Sequence, residues 1–158
     1  MDTNPQSNKY LSRSLANLAE LYDEVGQAKL AVKYYKESMK IDILMKNYNG
    51  LFNSAMHMAE INSSIDTNVS LEFLNKALEY AKVLNEPFYI VRANIEIGDF
   101  YMLRKDLEQA YKYFISAYDV AKHSFSKDNL DKVSARIENL KLRVNEEDFK
   151  ILQERYGK

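Results

Sequence analysis

The 158-residue chain has no cysteine and no tryptophan, only two prolines and only four glycines. Each scarcity excludes something. Without cysteine, neither a disulfide nor a thiolate metal site can form. The glycines, Gly26, Gly50, Gly98 and Gly157, are scattered along the whole chain. Glycine-rich phosphate loops and dinucleotide fingerprints need clustered glycines to bring backbone against phosphate, so neither is present. Turn formers are too few for an all-β domain, which reverses direction about every 8–12 residues. Charge of one sign is missing too: 22 Lys and Arg oppose 23 Asp and Glu, for a net charge of −1. A nucleic-acid partner is not expected, because affinity for a phosphate backbone rests on a basic excess. Long apolar runs are absent; Phe88-Tyr89-Ile90-Val91 is typical, and residues 1–8 are polar. The expectation is a chain with no membrane partner and no leader, located in the cytoplasm. What remains is a helical protein large enough to bury a core.

Small residues recur at fixed spacing. In the first segment, Leu18-Ala19-x-x-Tyr22 is followed by Ala31-x-x-x-Tyr35-x-x-Ser38. A later segment reads Ile97-Gly98-x-x-Tyr101, then Ala110-x-x-x-Phe114-x-x-Ala117. Between them lies a looser version, Ser54-Ala55-x-x-Met58, then Ser70-x-x-x-Leu74-x-x-Ala77. Ser38, Ala77 and Ala117 fall 39 and 40 residues apart. Spacings of three and four put each set on one helix face. A small residue lets two helix backbones approach, and the neighbouring aromatic fills the space beside the contact. A period in the range of about 20–50 residues marks stacked supersecondary units. Gly26 suits a left-handed helix C-cap, Gly50 falls in the link to the second segment, and Glu86-Pro87 supplies a helix start.

The pattern resembles the tetratricopeptide repeat, a bulky–Gly/Ala–x–x–Tyr helix followed by an Ala-x-x-x-Phe helix. The period is longer than the usual one of about 34 and is similar to a long-repeat variant of about 40. The resemblance implies an all-α fold, a right-handed α-α superhelix (a TPR-like solenoid) of about eight helices. It implies repeat packing through Ala19, Tyr22, Ala31, Tyr35, Ala55, Ala77, Gly98, Tyr101, Ala110, Phe114 and Ala117.

The expected organisation is a disordered tail over 1–8 and repeats over 9–44, 45–84 and 85–123, with a C-terminal capping pair over 124–158. Ala55 to Ala77 spans 22 residues, against 19 for Ala19 to Ser38, so the second repeat is expected to hold an inserted loop at 62–68. In the last segment Leu130, Val133, Ile137, Leu140 and Val144 mark an amphipathic helix. Asn145-Glu146-Glu147-Asp148 then caps a short helix. Its predicted outer face is charged, with Lys132, Arg136, Glu138, Lys141 and Arg143, as a terminal unit requires. At the other end the apolar first helix (Tyr10, Leu11, Leu15, Leu18, Leu21) has no capping helix before it. Either further repeats precede it or it self-associates.

No catalytic set assembles. Of the two histidines, His57 sits three residues from Glu60 without a second ligand at metal spacing, and reads as a helix histidine beside a surface glutamate. His123 reads as a last-turn cation. Neither a metal nor a cofactor is expected, and the chain is not expected to be an enzyme.

The first helix of each pair lines the concave face of such a solenoid. The predicted groove residues are Arg13, Asn17, Glu20 and Glu24 from the first repeat, with Ala16 and Asp23 beside them. The second contributes Asn53, Met56 and Glu60, flanked by Asn49 and Phe52. The third contributes Arg92, Glu96 and Asp99, flanked by Ile95, Met102 and Leu103. This stripe is acidic on balance, whereas Lys29, Lys33, Lys36 and Lys40 lie on a second helix. The alternative is that these are ordinary solvated faces. Asn17 and Asn53 each stand two residues before the small residue, and an amide suits a peptide backbone because it both donates and accepts. The resemblance implies a non-catalytic scaffold holding a protein or peptide, basic in character, of the kind that forms the C-terminal part of a larger regulatory protein. The alternative is an assembly module that homodimerises through its N-terminal helix.

Overall fold

The computed structural model describes residues 5–124 and 126–157. Among them are eight helices and no strand: α1 (Pro5–Glu24), α2 (Ala28–Met45), α3 (Tyr48–Asn62), α4 (Thr67–Leu84), α5 (Pro87–Leu103), α6 (Leu107–His123), α7 (Lys127–Lys141) and α8 (Glu146–Tyr156). The fold is an all-α helical repeat. Consecutive helices pair as hairpins, α1 with α2, α3 with α4 and α5 with α6. They belong to two compact units, one holding α1–α4 and the other α5–α8.

The period is carried by helix starts: α2, α4 and α6 begin at Ala28, Thr67 and Leu107, 39 and 40 residues apart. Lys46 and Asn85, 39 apart, are both left-handed at φ 53° and follow α2 and α4. Within the first hairpin Ala19 and Ala31 are fully buried. Tyr22 stacks on Tyr34 with ring centroids 5.3 Å apart. The third hairpin repeats this pair as Tyr101 on Tyr113, at 5.7 Å. Gly98 and Ala110 stand where Ala19 and Ala31 stand in the first.

The second hairpin corrects the sequence reading. Offset by 39, Ala19, Tyr22, Ala31 and Tyr34 correspond to Met58, Ile61, Ser70 and Phe73. Met58 and Ile61 join Ala19, Ala31 and Tyr35 in one core cluster, with Phe73 packed against it. The Ser70 hydroxyl donates to the Ala59 carbonyl at 2.8 Å. The helices of this hairpin therefore meet at Met58–Ala59, one turn beyond Ala55. Ala55 is fully buried, but it is not the counterpart of Ala19. The contact accepts the larger Met58 because methionine is flexible enough to fill an irregular gap.

With this register the repeat has a uniform length, and the inserted loop expected at 62–68 does not exist. Asn62 ends α3, Thr67 begins α4, and only 63–66 turn. The Asp66 carboxylate accepts the backbone N–H of Asn68 at 2.9 Å and of Val69 at 3.2 Å, which starts α4 inside the polar run. The expected tail is also shorter. Residues 5–8 belong to α1, where Gln6 Nε2 donates to the Tyr10 hydroxyl one turn on, at 3.0 Å; residues 1–4 lie outside the described residues.

In the second unit both α7 and α8 rest on α6. Val133 and Leu140 from α7, and Phe149 and Leu152 from α8, share one core with Tyr111, Phe114 and Ile115. Tyr111 meets the edge of Phe149 at 5.6 Å and donates its hydroxyl to the Gly157 carbonyl at 3.0 Å. Glu108 on α6 receives a 2.6 Å hydrogen bond from the Tyr156 hydroxyl and pairs with Arg155. These two donors, Tyr156 foremost, hold the Glu108 carboxyl below its ordinary range.

At Gly98 a Cβ atom would overlap the ring of Phe114, which is itself fully buried. Helix propensity alone says that Gly98→Ala gains about 0.5–1 kcal/mol. The packing reverses the sign: we expect a loss of about 1–3 kcal/mol in denaturant unfolding, as for other overpacked cores.

Candidate functional site

The first unit holds a cavity of about 560 Å³ between α1 and α3, with α2 behind it. From α1 it takes Lys9, Ser12, Arg13, Ala16, Asn17 and Glu20, and from α3 it takes Asn49, Gly50, Asn53, Ser54 and His57. These recur at helical spacing, so parallel stripes of the two helices form its walls. Tyr35, Ser38 and Asp42 on α2 close the back.

The back wall is a buried polar network. Ser12, Ser38 and Asp42 are all at most 2% exposed. Asp42 Oδ1 accepts from the Ser12 hydroxyl at 2.6 Å and from Asn47 Nδ2 at 2.8 Å. The Ser38 hydroxyl donates to the Ser12 carbonyl at 2.9 Å. Asn47 also caps α3, its Oδ1 accepting the Gly50 N–H at 3.3 Å. One carboxylate thus ties α1 and the start of α3 to α2. Gly50 is therefore part of the first turn of α3 and does not lie in a link. A Cβ there would overlap the Asp42 carboxylate and the Asn47 amide, so glycine permits the close approach. The signal for Asp42 was available, since Ala31, Tyr35, Ser38 and Asp42 recur at spacings of four, three and four on one helix face.

Above this network stands Tyr35, 1% exposed, its hydroxyl without a hydrogen-bond partner among the described residues. Burial pushes its pKa well above the ordinary tyrosine value, and the carboxylates of Glu20, Asp23, Glu60 and Glu24 push it further up. The His57 ring stacks on Tyr35 at 5.3 Å and 9°. His57 is thus a helix histidine that forms a wall of the cavity, with Glu60 exposed on the same helix.

The predicted groove residues separate into groups. Arg13, Asn17, Glu20 and Asn53 line this cavity. Glu24 and Glu60 are exposed and act on Tyr35 through charge. Met56 and Phe52 are buried in the core, at 7% and 0% exposure, and do not face a groove. The 39-residue offset makes Met56 the counterpart of Asn17, so Asn17 and Asn53 are not equivalent positions. They share a cavity because their helices are neighbours.

In the second unit Arg92 and Glu96 line a separate cavity of about 390 Å³. Asp99 is held by Arg136, whose Nε donates to both Asp99 oxygens at 3.1 Å. Leu103 is exposed and Met102 buried. Lys132 and Arg136, read from the sequence as a charged outer face, line that cavity beside α5.

Among the described residues no three His, Asp or Glu side chains group as metal ligands, and no helix is long and apolar enough to cross a membrane.

Antiparallel helix pairs that repeat every 39–40 residues, with small residues at the crossing and a polar groove beside it, define a helical-repeat binding module. Residues 12–42, which include Ser12, Ala19, Ala31, Tyr35 and Asp42, match the family model of the tetratricopeptide repeat. No curated protein matches the chain. Repeats of this family are, in general, protein-interaction scaffolds.

Asp42→Ala leaves the Ser12 hydroxyl and the Asn47 amide without their buried acceptor. We expect a loss of about 1–3 kcal/mol in thermal or denaturant unfolding. Glu24→Ala on the exposed face should stay within about 0.5 kcal/mol of the parent. Equal midpoints for the two variants would remove the role given to Asp42.

Proposed function

We propose that the chain is a non-catalytic scaffold that holds an extended, basic protein segment in the groove between α1 and α3. The observation that carries this reading is the electrostatics at Tyr35. A buried phenol lacks a partner, and four carboxylates act on it from the two groove helices. A lysine or arginine side chain entering there meets negative potential and finds the phenol oxygen as an acceptor. A carboxylate is repelled at the same place. Asn17 and Asn53 offer amides to the segment's backbone, and Lys9 and Arg13 stand toward the other end of α1. The same charge pattern argues against a nucleic-acid partner. A scaffold of this kind, with a net charge of −1, suits the cytoplasm.

Selection of a random short-peptide display library on the intact protein tests the reading. Enriched sequences should carry Lys or Arg, and the Glu20→Lys, Glu60→Lys double variant should lose that enrichment, as Asn53→Ala should weaken it. A basic preference unchanged by these substitutions would sink the groove assignment.

A second reading rests on α1. Leu11 and Leu21 are 49% and 58% exposed and with Leu18 lie at heptad-like spacing along one edge of the helix, and Val25, 66% exposed, follows in the turn just after it. This edge is suited to homodimerisation. Light scattering should then report a dimer that Leu11→Glu with Leu21→Glu converts to a monomer; a monomeric parent removes the reading.

A further inference from the structure

The outer face of α2 borders neither cavity. Its exposed residues are Lys29, Lys33, Lys36, Lys40, Ile43 and Leu44. The four lysines recur at spacings of four, three and four, each two residues before Ala31, Tyr35, Ser38 and Asp42 in turn. Two residues carry the chain about 200° around a helix, so the lysines lie opposite the side that closes the groove. They form a row about 16 Å long by the helical rise. Ile43 and Leu44, 57% and 68% exposed, stand at its end.

The row is also electrostatically unbalanced. On other helices Lys76, Lys132 and Lys150 each pair with a carboxylate one turn away. None of the four lysines of α2 has an ion pair among the described residues, and Lys33 lies over the Tyr34 ring at 5.4 Å. The carboxylates of this helix are Glu37, half-buried at the side of the row, and the buried Asp42. Lysines three and four residues apart repel one another and weaken the helix. Negative charge laid along the row removes that cost.

We propose that the outer face of α2 docks on an anionic lipid bilayer. The lysines meet the headgroups, and Ile43 and Leu44 enter the apolar layer beneath them. Charge complementarity and the order of the residues carry the choice. A lysine ammonium is a point charge on a flexible stem, which suits a diffuse anionic surface, and the row has no arginine fork. A bilayer places apolar chains directly behind its charge, and the exposed aliphatic pair fits that layer. A nucleic-acid backbone offers the charge without it. No helix among the described residues is long and apolar enough to cross a membrane. The scarcity of apolar runs thus excludes a spanning helix and leaves a surface contact open. Glu72 and Glu79 on α4 stand 39 residues on from Lys33 and Lys40, so the contact is one helix wide. The groove between α1 and α3 opens away from the lipid and stays accessible.

Flotation of the intact protein with phosphatidylcholine vesicles, with and without phosphatidylserine, tests the proposal. The protein should float only with the anionic vesicles, and added salt should release it. Lys33→Ala with Lys36→Ala should weaken vesicle binding about fivefold for each lysine lost. Glu79→Lys, which widens the basic face, should strengthen it. The chain has no tryptophan, so Leu44→Trp is a sole reporter. Its emission should shift to the blue on anionic vesicles. All four positions are exposed, and an unchanged helical circular dichroism spectrum verifies the fold of each variant. The proposal is overturned if the parent ignores anionic vesicles at low salt, or if the double lysine variant binds them as tightly as the parent. A Leu44→Trp emission that does not move overturns it as well. So does tighter binding to poly-glutamate or an oligothymidylate than to the vesicles, since the row would then serve an acidic protein or a nucleic acid.

Discussion

Two helices can touch along their length only where one of them gives up a side chain. In this chain the first and third hairpins meet that condition with glycine or alanine, and the rest of their architecture follows from it. Gly98 receives the ring of Phe114 in a space that a single methyl group would fill. Ala19 and Ala31 are both fully buried in the first hairpin. Because the backbones are close there, the aromatic pairs Tyr22–Tyr34 and Tyr101–Tyr113 can stack beside the crossing. Fixing the crossing fixes the faces that remain, so the groove walls are a consequence of where the small residues fall.

That logic also explains what was legible from the amino-acid order and what was not. Hairpins one and three announce themselves, because glycine or alanine at the crossing is rare enough in its pattern to be read directly. The second hairpin misleads for a physical reason. Its crossing is filled by Met58, which packs without being small, while Ala55 offers a small residue one turn too early. A false insertion follows from that one substitution, and so does the false equivalence of Asn17 and Asn53. The buried Asp42 network was missed because a mid-helix aspartate looks like surface until its face is compared with Ala31, Tyr35 and Ser38. The face of α7 was misread because lysine and arginine pass for solvated charges. Only the position of α5 reveals that Lys132 and Arg136 border a cavity whose wall is apolar.

The near-neutral total charge therefore conceals two unlike local environments. In the first unit the carboxylates of α1 and α3 act on a buried phenol. In the second, Arg92, Lys132, Arg136 and Glu96 line a cavity whose wall is apolar. Both are built from first helices of successive pairs, so a single repeated geometry presents different chemistry by changing a few side chains on an unchanged frame. Repeat proteins can diversify in this way because the residues that set the frame and those that meet a partner occupy separate faces.

Asp42 places a limit on that freedom. Repeat units are commonly treated as interchangeable bricks, each carrying its own stability and a generic joint to the next. Here the joint between the first two hairpins is a specific one. The carboxylate sits on α2, one of its donors on α1 and the other at Asn47, where α3 begins, and Gly50 leaves room for it. A foreign first hairpin grafted before Asn47 would strand Asn47 without its acceptor. A foreign second hairpin grafted after α2 would leave Asp42 buried with half its donors. The two hairpins are thus a matched set, and any shuffling of this chain, by recombination or by design, has to cut after α4 to keep its parts whole.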